Sequence, residues 1–102
     1  MIEITERMIS LAQKDTKDLL GLTLKLMEEV GELAEAVNYK LGNLPHKQMK
    51  EKIEGEVADV INCAISVLVR AYPKKDSSYI YFLLEEQLKK KADKWESIIS
   101  NS

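Results

Sequence analysis

Two short stretches place carboxylates at helical spacing beside residues that need burial. The first is Lys25-Leu26-Met27-Glu28-Glu29-Val30-Gly31-Glu32-Leu33-Ala34-Glu35, and the second is Glu54-Gly55-Glu56-Val57-Ala58-Asp59-Val60. On a helix, residues three or four apart are neighbours, so Glu32 adjoins both Glu28 and Glu29, and Asp59 adjoins Glu56. The two acidic rows can therefore face each other. Unit charges about 4 Å apart repel by roughly 4 kcal/mol per pair at an effective dielectric near 20, so facing rows call for a counter-ion. A divalent cation would remove that cost. Carboxylate oxygens suit Mg²⁺, whose remaining positions could hold a polyphosphate.

Acidic residues on helices are usually solvated, and Glu28 or Glu35 alone reads as well that way. Asp59 is different: it lies inside Val57-Ala58-Asp59-Val60-Ile61, where an unpaired carboxylate is expensive. On the first stretch, Glu29 stands at the edge of an apolar stripe, with Glu28, Glu32 and Glu35 farther round. Glu29 is thus expected to point inward.

The elements that must position these groups are helices. A first helix is expected from Ile2 to about Lys14, with Ile4, Met8, Leu11 and Ala12 at helical spacing; its single apolar side suggests a cover. Asp15 and Thr16 are candidate N-caps for a second helix from about Lys17 to Leu41. Leu19, Leu22, Leu26, Val30, Leu33, Val37 and Leu41 step along it by threes and fours, and Gly42-Asn43 is a stop signal.

Gly42 to His46 reads as a hairpin loop, after which a third helix is expected from His46 or Lys47 to about Ala71, ended by Tyr72-Pro73. Its apolar residues, Ile53, Val57, Val60, Ile61, Cys63, Ala64, Ile65, Val67, Leu68 and Val69, cover more than half the circumference. Such a helix belongs in the middle of something, and in a small domain part of that arc is expected to meet another copy. A fourth helix is expected from about Tyr79 to Ile99, behind three candidate N-caps in Asp76-Ser77-Ser78. Ile80, Leu84, Leu88, Ala92, Trp95 and Ile99 share one side of it, and Lys89, Lys90, Lys91 and Lys94 make its second half basic.

Composition narrows the function classes. A chain of 102 residues is expected to be one domain or less, taken as residues 1–102, with a modest core that calls for a partner chain. A net charge of -2, from 15 Lys+Arg against 17 Asp+Glu, gives no bulk electrostatic case for nucleic acid. The longest apolar run is broken by Asp59 and too short for a membrane span, and the acidic N-terminus is wrong for a secretory signal. Cys63 is the one cysteine, so no internal disulfide forms, and a reducing, cytoplasmic setting is expected.

Glu28-Glu29-x-x-Glu32 followed by Glu56-x-x-Asp59 resembles the EExxE and ExxD signature of the MazG-like, all-α nucleoside triphosphate pyrophosphohydrolases. The similarity covers about Leu22 to Val69, and the ordered pair of motifs is more specific than either alone. The resemblance implies a four-helix MazG-like bundle whose helical hairpin carries the acidic site, assembled as a homodimer or homotetramer. It also implies Mg²⁺-dependent hydrolysis of a (deoxy)nucleoside triphosphate to the monophosphate and pyrophosphate, with Mn²⁺ as an alternative ion.

By position, Glu29, Glu32, Glu56 and Asp59 would be the metal ligands, and Glu28 would orient or deprotonate the attacking water, support a ligand or bind another metal. Lys91 and Lys94 are similar to the family's phosphate-gripping basic residues, although its usual downstream arginine is missing. Lys25 is a further phosphate-binding candidate, or else a salt-bridge partner, and Asn62 could touch substrate.

Other chemistry is thinner. His46 is the one histidine, which leaves out a di-iron carboxylate bundle built on two Glu-x-x-His motifs. Cys63 without a nearby histidine reads as a core packer, and Trp95 on an apolar stripe reads as packing before base stacking. Two competing functions stand beside the main one: a phosphoribosyl-ATP pyrophosphohydrolase-like enzyme, and a non-catalytic helical oligomerisation module.

Overall fold

The computed structural model describes residues 2–44 and 52–101 of the chain. Among the described residues the architecture is all-α: α1 (Ile2–Gln13), α2 (Leu19–Lys40), α3 (Ile53–Ala71) and α4 (Ser77–Ser100). The expected start of the third helix at His46 or Lys47, with His46 itself, falls outside the described residues. No helix among them is long and apolar enough to cross a membrane.

Local chemistry sets the ends of the helices. Asp18, not Asp15 or Thr16, caps α2: its Oδ1 accepts from the Gly21 amide at 2.7 Å. Asp15 instead accepts from the Lys17 amide at 2.9 Å, forming a turn that delays the helix to Leu19. At the other end of α2, Gly42 takes φ 82°, its amide reaches the Tyr39 carbonyl, and the Asn43 amide reaches that of Asn38 at 2.9 Å. This is a Schellman closure, which needs a residue free to adopt positive φ. Asp76 caps α4 by accepting from the Tyr79 amide at 2.9 Å.

α3 is the central element, packed by α2 along one side and by α1 on another, while α4 packs on α1. The apolar core lies at the C-terminal half of α3: Ile9, Ala12, Ile65, Val69 and Ile80 are buried together, with Met8, Leu68, Tyr81 and Leu84 against them. Ile9 and Ile80 are fully enclosed, each contributing about 1.5–3 kcal/mol by burial. The Arg70 guanidinium donates to the carbonyl of Ala12, which also accepts from the Asp15 amide, and to that of Asp15 in the turn after α1.

Three expectations about faces need correction. α1 packs one side, Ile9 and Ala12, on α3 and α4, but Ile4 and Leu11, expected on that side, are exposed. The buried line of α2 is Leu22, Glu29 and Ala36 at seven-residue steps, leaving Leu19, Val30, Val37 and Leu41 exposed. The stripe on α4 starts in the core at Ile80 and then leaves it: every residue from Glu85 to Asn101 is exposed, including Leu88 and Trp95. Trp95, expected to pack, is 68% exposed.

Candidate metal centre between α2 and α3

The α2–α3 pair holds the acidic site. Glu29 lies on the buried line of α2, and Glu56 sits in the first turn of α3, where the free amides of the helix start favour negative charge. They are 7% and 6% exposed, against the usual solvation of glutamate. Glu32, one turn beyond Glu29, is half-buried. One carboxylate oxygen from each of Glu29, Glu32 and Glu56 lies within 4.8 Å of the others.

Oxygens sharing one Mg²⁺ sit about 3 to 4.2 Å apart, and those sharing the larger Ca²⁺ about 3.3 to 5.2 Å apart, given the usual metal–oxygen distances. The three carboxylates thus stand near the span of a coordination sphere, and movements under about 1 Å would close them on magnesium. The second observation is polar accounting: Oε2 of Glu29 and Oε2 of Glu56 are buried and have no hydrogen-bond partner. A buried carboxylate oxygen without a partner is costly, and a cation is the partner whose chemistry the donors fit.

Electrostatics tie the cluster together. Glu32 is raised above the ordinary carboxylate range, first by its hydrogen bond to Glu29 and then by the charge of Glu29, with burial and the charges of Glu56 and Glu28 adding to it. The Lys25 Nζ lies 3.2 Å from Glu29 Oε1 and 3.6 Å from Glu28 Oε1, and its own pKa is raised, first by the hydrogen bond to Glu29. The salt-bridge role of Lys25 is thus present in the structure, beside the free oxygen of Glu29.

The other candidates are more dispersed. Asp59, one turn after Glu56, is half-buried and outside the converging trio, and Val57, Ala58 and Ile61 around it are exposed, so its setting is more open than its apolar neighbours imply. Glu28 is exposed beside Lys25. Asn62 is exposed, and its carbonyl accepts from the Ser66 hydroxyl at 3.0 Å, an internal bond that allows Ser66 to be buried. Lys91 and Lys94 lie on the exposed second half of α4, an element packed on α1, so they are not drawn into the trio's α2–α3 pair.

Cys63, expected as a core packer, lies outside the apolar core cluster. It is half-buried, and its thiol is pushed up by burial first and the charge of Glu29 next, with Asp59 adding to it and Lys25 and Lys17 opposing. The spacing of Cys63, four from Asp59 and seven from Glu56, is the signal that places it on their face. Comparison of the chain with protein-family models, curated proteins and solved structures yields no match to any of them.

Proposed function

We propose that this chain is a Mg²⁺-dependent pyrophosphohydrolase of (deoxy)nucleoside triphosphates, acting as a cytoplasmic homo-oligomer. The observation that carries the reading is the convergence of Glu29, Glu32 and Glu56 across two helices, with a buried, partnerless oxygen on Glu29 and another on Glu56. The likeness of the Glu28-Glu29-x-x-Glu32 and Glu56-x-x-Asp59 spacing to the MazG-like signature supports the choice of substrate.

Glu29, Glu32 and Glu56 would hold the ion, with Asp59 completing the set from the next turn of α3. Magnesium, when bound, neutralises phosphate charge and leaves positions for phosphate oxygens. Glu28, exposed at the rim, orients or deprotonates the attacking water. Lys25, beside Glu28 and Glu29, would offer its ammonium to a phosphate, and the exposed Asn62 would contact the nucleoside. Exposed Val30, Val37, Val57 and Ile61 on the α2–α3 pair support the homo-oligomeric part. They equally favour the second reading, a catalytically silent oligomerisation module.

A panel of common and oxidised (d)NTPs, and phosphoribosyl-ATP, assayed for pyrophosphate release with Mg²⁺ and with EDTA, separates these readings. The enzyme should release pyrophosphate from at least one nucleotide only with metal, and Glu56→Gln should abolish that release. Turnover of phosphoribosyl-ATP alone selects the related enzyme. No release from any nucleotide selects the silent module.

A further inference from the structure

We draw no further inference here: the strongest candidate, the half-buried Cys63 thiol on the face of α3 that carries Glu56 and Asp59, is a lone cysteine, and the unpartnered carboxylate whose charge reaches it, that of Glu29, belongs to the metal centre already described.

Discussion

The two halves of α3 serve opposite ends. Toward its C-terminus, Ile65 and Val69 join Ile9, Ala12 and Ile80 in a core of apolar groups that gain from leaving water. Toward its N-terminus, Glu56 is as buried as Ile65, yet its Oε2 meets no hydrogen-bond donor and its neighbours Glu29 and Glu32 carry the same charge sign. Repulsion across 4.8 Å is about 3–4 kcal/mol per ionised pair at an effective dielectric near 20. Such a site is maintained against stability, and the apolar half of the same helix offsets it. The contrast teaches that the lost stability is localised, so core and site can be perturbed separately.

The largest effect should come from the core. Ile80→Ala leaves a cavity where the side chain is fully enclosed and should cost about 2–5 kcal/mol in urea denaturation. Magnesium affinity of the remaining folded protein should not change, because Ile80 lies in the apolar cluster rather than among the carboxylates. A parallel loss of affinity would break the separation of the two halves.

Opposite in sign is Glu56→Met, which keeps the length of the side chain and removes its charge. Relief of the unpartnered oxygen is worth about 1–3 kcal/mol, and loss of a favourable charge at the helix start costs about 0.3–1 kcal/mol. Thermal melting in EDTA should therefore show net stabilisation, and calorimetry should show loss of Mg²⁺ binding. A destabilised variant would mean that Glu56 is already satisfied.

The pH dependence sharpens the same point. Glu32 is raised above its unfolded value, chiefly through Glu29, so its native form binds a proton more tightly than the unfolded chain. Its contribution is fully present below the unfolded pKa and is lost as pH rises through the folded one. Melting temperature in EDTA should accordingly contain a component that falls as pH rises through the raised pKa of Glu32. Saturating Mg²⁺ should flatten it, and binding of the ion should release a proton there. The Glu32→Gln variant should lack the component.

The smallest effect concerns α2's start. Asp18→Ala removes the cap on the Gly21 amide and should cost about 1 kcal/mol in denaturant melts, with metal binding retained. Asp15→Ala, by comparison, should cost less, because its acceptor serves a turn rather than a helix end.

Much of the fold was legible because its signals are local. Helix number and type, the closure at Gly42, the end before Pro73 and the cap at Asp76 follow from backbone chemistry within a few residues. Faces were less legible. Where an apolar arc exceeds half a helix, as on α2 and α3, periodicity does not say which part meets a neighbour inside the chain, and Val30 and Val37 were assigned to a side that is exposed. Ile9 escaped because the Ile4, Met8, Leu11 line satisfied the same period one residue away.

The carboxylates show the same division. Inward Glu29 and the pairing of the acidic rows through Glu32 and Glu56 followed from spacing. The openness around Asp59 and the distance in topology between the α4 lysines and the α2–α3 pair depend on tertiary packing, which residue spacing alone does not encode.

Isothermal titration of Mg²⁺ into the EDTA-stripped and dialysed protein tests the carboxylate centre most directly. Saturable binding that disappears in both Glu29→Gln and Glu56→Gln, with each variant still helical, is the expected result. Heats no larger than dilution, or saturable binding that survives both substitutions, would contradict a metal held between α2 and α3.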